Sequence, residues 1–331
     1  MQIAVSVFPV IIFLVFLNFF DSYKLVKPRF IVFTIAVGAF IAFLGYMINT
    51  FLLNVFASDT TMYSSFGAPI IEELLKASYV IYLIQSKKVG FMVDAGIYGF
   101  AIGAGFACVE NVYYLHELHD PNILLWVIRG FGTAVMHGGT TAIFGIISKD
   151  LSDRYPSKRL LVFLPGGAIM MMIHSFFNLF FLPPITETFL TLTLLPFLLF
   201  LVFKRSEQST RTWLGVGLDA DIEILHLIMT GNLSESNIGK YLHSLQEKFP
   251  GEIIVDMLCL LRLHTELAIR SKGILMMREA GFRTTPDPEI IEKFAELQYL
   301  EKNIGKTGKI AIMPFLHTAS RDLWQIYMLE K

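Results

Sequence analysis

Over the first two-thirds of this chain the apolar residues do not alternate with polar ones; they run together. Runs of about 17–25 residues, enough for a helix to cross a bilayer, fall at roughly 3–20, 30–52, 66–85, 92–115, 124–147, 160–182 and 185–203. The pattern predicts seven membrane spans. Gly96, Gly99, Gly103 and Gly105 give the fourth a surface that another helix can approach closely. Pro183-Pro184 marks a sharp turn between the last two. After about residue 205 the pattern changes. Ile222, Leu225, Leu227 and Ile228, then Ile253, Ile254, Met257, Leu258 and Leu261, recur at helical spacing. Pro250-Gly251 and Gly281 punctuate this region, and Asp287-Pro288-Glu289 reads as a helix start. Four or five helices are expected there. The fold class is therefore all-α: a polytopic transmembrane helical bundle over 1–204, followed by a helical cytosolic domain over 205–331.

Composition agrees with that division. The 331 residues are 54% hydrophobic and 17% charged, against about 25% charged in a soluble protein. A net charge of −1 gives no reason to expect a nucleic-acid partner. Cys108 and Cys259 lie in one apolar and one polar segment and make no disulfide framework. Met1-Gln2-Ile3 lacks a basic n-region and no small-residue cleavage site follows Phe20, so the first run is expected to be a retained span. Basic residues sort the loops. Lys24, Lys27 and Arg29, then Lys87 and Lys88, then Lys149, Arg154, Lys158 and Arg159, then Lys204 and Arg205 follow every second span. The loops near Asp59, from Glu117 to Asp120, and at Thr186-Glu187 carry none. The positive-inside rule then puts the N-terminus outside and the C-terminus in the cytosol. Asn232-Leu233-Ser234 matches a glycosylation sequon but falls on the cytosolic side. Gly305-Lys306-Thr307-Gly308-Lys309 lacks phosphate-loop spacing and reads as a basic turn.

Five features of the apolar part are polar where polarity is costly. Glu72, Glu73 and Lys76 lie together in the third span, where Lys76 is i+4 from Glu72 and i+3 from Glu73. Adjacent glutamates point about 100° apart on a helix, so one can pair with Lys76 while the other faces a reaction centre. Phe106, Glu110 and Tyr114 share one face of the fourth span. Arg129 and His137, with Thr140 and Thr141, lie on the fifth, and His174 and Asn178 are one turn apart on the sixth. Their depths converge. Glu73 is about eight residues, roughly 12 Å, in from the outer end of its span. Glu110 is about one turn and His174 about two turns from outer ends, and His137 is deeper. Independent polar accidents would not share a depth.

Glutamate and imidazole suit Zn²⁺. A catalytic zinc takes about three protein ligands and leaves a position open; Glu110, His137 and His174 would supply a His₂Glu set. One of Glu72 and Glu73 is then the general base toward water. Asn178 is placed to donate to a developing oxyanion, and Arg129 to hold a substrate carbonyl or pair with a carboxylate. A metal-free version, with a glutamate activating water directly, uses the same residues.

Glu-Glu-x-x-Lys at 72–76, Phe-x-x-x-Glu-Asn-x-x-Tyr at 106–114, His-x-x-x-Thr at 137–141 and His-x-x-x-Asn at 174–178 stand in that order on successive spans. Together they resemble the PrsW family of intramembrane proteases, similar in plan to the CAAX-prenyl protease and Abi superfamily, over roughly 60–182. Glu110 stands where the prenyl-protease branch has His. The resemblance implies a multi-pass protein of the plasma (inner) membrane that cuts a single-span protein, of the anti-sigma-factor kind, within or beside its membrane segment on the extracytoplasmic side. It implies Glu72, Glu73, Glu110, His137 and His174 as essential positions. The C-terminal domain is not part of the family pattern; a cytosolic regulator is the partner expected there.

Each feature has a plainer reading. Glu72, Glu73 and Lys76 also describe a structural ion cluster. Phe106 and Tyr114 read as packing and interface residues, Asn111 as a helix–helix hydrogen bond, Arg129 as a side chain snorkelling to headgroups, and Cys108 as packing. His116 and His119 are i,i+3, not the i,i+4 of a zincin helix. Buried Glu and His also line proton- or ion-coupled transporters and channels, the competing function, although no inverted repeat or matching pair of broken helices is visible. A non-catalytic scaffold signalling through 205–331 is the third reading; against it, every member of the motif set is present.

Overall fold

Helices are the only regular elements among the described residues of the computed structural model, which are 8, 11–15, 26–56, 60–118, 123–155, 157–158, 160–179, 181–282 and 288–316. The main ones are α1 (Pro28–Phe56), α2 (Ala68–Gln85), α3 (Met92–Leu118), α4 (Ile123–Arg154), α5 (Leu164–Asn178), α6 (Pro184–Met229), α7 (Asn237–Ser244), α8 (Gly251–Glu279) and α9 (Pro288–Ile312). A π-helical turn, Tyr63–Gly67, leads into α2. The chain divides into two compact units, Met1–Glu207 and Gln208–Lys331.

Among the described residues four helices are long and apolar enough to cross a membrane: Pro28–Phe56, Met92–Glu117, Leu161–Asn178 and Ile185–Met229. The expected spans at 66–85 and 124–147 are the helices α2 and α4. Their hydropathy is lowered by the residues that make them interesting, Glu72, Glu73 and Lys76 on one and Arg129, His137 and a run of Gly and Thr on the other. The expected span at 3–20 lies mostly outside the described residues. The helix expected to end near 203 continues to Met229. No proline interrupts it between Lys204 and Met229, and its poorest helix formers there are Gly215 and Gly217, at about 1 kcal/mol each against Ala. It stops at Gly231, whose φ of 74° is left-handed.

In the first unit α3 is the central helix. Ile97, Ala101, Ile102, Ala104 and Ala107 on it are wholly buried. A Cβ on Gly103 would collide with the carbonyl of His137 on α4, and one on Gly105 with the carbonyl of Ile35 on α1. The glycines expected to permit close approach thus do so on two sides, toward α4 and toward α1. Apolar transfer does not drive helices together inside a membrane, so this backbone-to-backbone contact supplies the packing. It also fixes the position of His137. Thr140 and Thr141 donate their hydroxyls to the His137 carbonyl at 3.2 and 2.8 Å.

The second unit is built on α8. Met257, Leu260, Leu261 and Leu267 pack with Phe294, Leu297, Leu300 and Ile304 of α9. Ser236 caps α7 by accepting from the Gly239 amide at 3.1 Å. Gly281 (φ 84°) follows α8, Pro288 opens α9, and Asp287 lies outside the described residues. Gly305 (φ 65°) kinks α9 within the glycine- and lysine-rich segment, and Lys309 pairs with Glu301 at 2.6 Å. Lys272 and Asp221 form a buried ion pair at 2.6 Å, with the Lys272 ammonium 5.6 Å from the Trp213 ring.

Two outcomes are expected. Gly103→Val forces α3 and α4 apart and lowers the thermal midpoint of the purified protein, with overpacking costs of about 1–3 kcal/mol or more; Gly167→Val, where a Cβ meets nothing within 4 Å, leaves it unchanged. Lys272→Met strands a buried carboxylate and destabilises the second unit by about 3–5 kcal/mol. Hydrogen-exchange protection of residues 251–279 reads this, and Lys272→Met with Asp221→Leu restores part of it.

Candidate active site

The helices of the first unit place the site by their alternation. Asn49 lies in the last third of α1, Glu72 and Glu73 in the first turns of α2, Glu110 near the end of α3, His137 in the first half of α4, and His174 one turn from the end of α5. These residues converge, so the site occupies one end of the bundle.

Its centre is an ammonium. Lys76 Nζ donates to Glu73 Oε1 at 2.6 Å and to His137 Nδ1 at 2.8 Å. It also lies 4.6 Å from the centre of the Phe106 ring. Lys76, Glu73 and His137 are all wholly buried. The Phe106 ring stands 4.8 Å from the His137 ring, and the two histidine rings meet edge to face at 4.8 Å. Phe106 is therefore a packing residue, in keeping with its plainer sequence reading, and its π-face supports the buried cation.

Donors and acceptors fix the imidazoles. An ammonium only donates, so His137 Nδ1 accepts from Lys76 and its proton lies on Nε2. That nitrogen then donates to Glu110 Oε2 at 2.7 Å. On His174, Nδ1 donates to Glu73 Oε1 at 2.6 Å. In the neutral imidazole this leaves a lone pair on Nε2, which faces Glu72 Oε2 at 3.9 Å. Glu73 and Glu72 are thus unlike. Glu73 receives both Lys76 and His174 and is closed off from outside. Glu72 keeps its side chain 17% exposed, and Asn49 Nδ2 donates a hydrogen bond to its Oε1 at 3.2 Å.

The sequence expectations meet this geometry residue by residue. Lys76, free by helix phase to take either glutamate, takes Glu73. Glu110, expected to share a metal with His137 and His174, accepts from His137 Nε2, with its own side chain 25% exposed. Among the described residues, Glu72, His137 and His174 bring ligand atoms within 4.8 Å of one another. Asn178, expected to point an amide at an oxyanion, donates it to the carbonyl of Ser64 in the π turn at 3.2 Å. Arg129 is on α4, and its side chain lies outside the described residues. Asn111 is wholly buried and Cys108 partly so. His116 is exposed near the end of α3, and His119 lies outside the described residues. Asn49, Tyr63 and Ser64 are site neighbours that the sequence pattern did not single out. The available signal was Asn49, a lone amide near the end of an otherwise apolar span.

The donor set fits a divalent cation. With all three carboxylates ionised, Glu72, Glu73 and Glu110 outnumber the single ammonium by two charges. Glu73 Oε2 is buried without a hydrogen-bond partner, and an acceptor in that state is costly unless something beyond the chain satisfies it. One constraint qualifies the set. Both nitrogens of His137 are engaged, so it joins a cation only as Lys76 or Glu110 releases it.

No curated protein and no solved structure matches the chain. The family model of the PrsW family intramembrane metalloproteases matches residues 27–203. That stretch is more than half of the chain and holds every residue of the cluster; the chain belongs to the PrsW family and is a multi-pass intramembrane protease.

Proposed function

We propose that the protein is an endopeptidase that cuts a single-span membrane protein, of the anti-sigma-factor kind, near the extracytoplasmic face, with Glu72 taking the proton of the attacking water. One observation carries the choice of Glu72: its Oε2 and His174 Nε2 face each other across 3.9 Å. Both atoms present lone pairs and the distance is too long for a direct bond, so the gap suits a water between them. Glu72 is also the more open of the two adjacent glutamates.

The other side chains then have distinct tasks. Glu73 holds the His174 ring so that Nε2 faces the gap. Lys76 neutralises Glu73 and ties it to His137. Glu110 fixes the tautomer of His137 from the far side. A divalent cation such as Zn²⁺, held by His137, His174 and one oxygen of Glu72, would supply Lewis-acid polarisation of the scissile carbonyl and leave the other Glu72 oxygen to take the proton. Without one, the same gap between Glu72 and His174 orients the water and Glu72 removes its proton.

The extracytoplasmic side is supported by charge. Lys87 and Lys88 follow the end of α2 remote from Glu72, and Lys149 and Lys158 lie toward the end of α4 remote from His137. The positive-inside rule makes those ends cytosolic. Residues 208–331 then fall in the cytosol, where we read them as the seat of a regulatory partner.

Cleavage of a single-span substrate by the purified protein in detergent tests this reading. Glu72→Gln is expected to lose about 10²–10⁴-fold in rate, the range of a general base. Glu73→Gln and His174→Ala are expected to lose at least about 10–100-fold. Unchanged cleavage in all three variants overturns the proposal. Metal analysis of the same preparation is expected to find about one divalent ion per chain, lost on chelation and in His174→Ala. Full activity in chelated, metal-free protein assigns the chemistry to Glu72 alone.

A further inference from the structure

We propose that Asn49 and Tyr63 are positioning residues that orient the Glu72 carboxylate, Tyr63 acting through Asn49. This rests on the reading of Glu72 as the reacting carboxylate. The Tyr63 hydroxyl donates to Asn49 Oδ1 at 2.9 Å, and Asn49 Nδ2 donates to Glu72 Oε1 at 3.2 Å. An amide can present either end to a carboxylate, and only the nitrogen end is favourable. The carboxylate, which only accepts, fixes the flip of Asn49 with Nδ2 toward Glu72, and the Tyr63 hydroxyl, donating to the Oδ1 that remains, holds the amide in that place. With Oε1 held, Oε2 is the oxygen left toward His174 Nε2, 3.9 Å away.

The local backbone is arranged to hold this chain of contacts. Tyr63 opens a π-helical turn, Tyr63–Gly67, inserted just before α2; such turns are frequent at functional sites. A Cβ on Gly67 would press into the Tyr63 ring at 2.6 Å, so glycine leaves the ring its place. The same turn is tied to α5, because Asn178 donates to the carbonyl of Ser64. On α1, Gly45 sits one turn before Asn49 and faces Glu72; a Cβ there would lie 3.7 Å from Glu72 Cγ. Glu72 is therefore lodged between α1, the π turn and α5.

Outer contacts of this kind typically change activity by about 10–100-fold. Asn49→Leu, which removes the donor, is expected to lower kcat by that factor with KM unchanged. Tyr63→Phe is expected to lower it about tenfold, and Gly67→Ala, which displaces the ring, should behave like Tyr63→Phe. The telling measurement is the double variant. Tyr63→Phe with Asn49→Leu is expected to fall no further than Asn49→Leu alone, since Tyr63 acts through the amide. The Asn49 and Tyr63 variants should keep the parent thermal midpoint, whereas Gly67→Ala, which crowds the ring, lowers it. Multiplicative losses, a change confined to KM, or kcat values of the Asn49 and Tyr63 variants tracking a lowered thermal midpoint overturn the proposal. If Glu72→Gln keeps full activity, the reading beneath it fails instead. If Glu72→Gln is inactive while Asn49→Leu and Tyr63→Phe match the parent, the positioning role alone fails.

Discussion

An ammonium with no access to water is the constraint around which the membrane unit is arranged. Left alone, a buried lysine costs several kcal/mol. Lys76 is offset by one carboxylate, one imidazole and one aromatic face, contributed by α2, α4 and α3. Each of those helices must therefore arrive at a fixed distance. The glycines of α3 make that possible, because a side chain at Gly103 would hold the His137 backbone away. Packing of small residues and burial of a charge are here two aspects of one requirement.

The same ammonium makes two adjacent glutamates chemically different. Glu73 is saturated on Oε1 by Lys76 and His174 and sealed from outside, so it serves as an anchor. Glu72, about 100° round the helix, faces Asn49 and an open gap. A neighbouring pair on one turn thus divides into a carboxylate that orients an imidazole and one that keeps an oxygen turned to the gap. The second unit offers a control within the same chain. Lys272 and Asp221 are equally close and equally buried, but no cluster of imidazoles and part-open carboxylates adjoins them among the described residues. A buried ion pair by itself is structural; it becomes part of a site when an open lone pair lies next to it.

Much of this was legible in the sequence because charge at membrane depth has few innocent explanations. Glu72, Glu73, Lys76, Glu110, His137 and His174 could be selected on that ground, and their shared end of the bundle followed from alternating topology. Helix phase left two questions that it cannot answer. Both glutamates were within reach of Lys76, and the choice of Glu73 depends on where His137 stands, 61 residues away in sequence. Likewise Glu110 was grouped with both histidines, and only its rotation about the α3 axis settles that it bonds His137. Asn49 and Tyr63 were harder still. A single amide in an apolar span has an ordinary use in bonding a neighbouring helix, and a π turn leaves no periodic signature. The extension of α6 to Met229 was missed because Lys204 and Arg205 read as the end of a span, and such residues do not terminate a helix.

The gap between Glu72 and His174 also bears on the metal question through His137. A tetrahedral cation needs nitrogen lone pairs, and His174 offers one at Nε2 without rearrangement. His137 does not, since the same ammonium that stabilises Glu73 takes its Nδ1 and Glu110 takes the proton on Nε2. A cation shared by Glu72, His137 and His174 therefore competes with Lys76 for His137. Electrostatics run the same way, because a divalent ion beside Glu73 would repel the ammonium it adjoins. Lys76 offsets one of the three carboxylate charges and a divalent cation would offset the remaining two, but both draw on His137. Occupancy of the cluster is in that sense coupled to a side chain of the chain itself, and the Glu-Glu-x-x-Lys spacing is what places the competitor one turn from the carboxylate it would share.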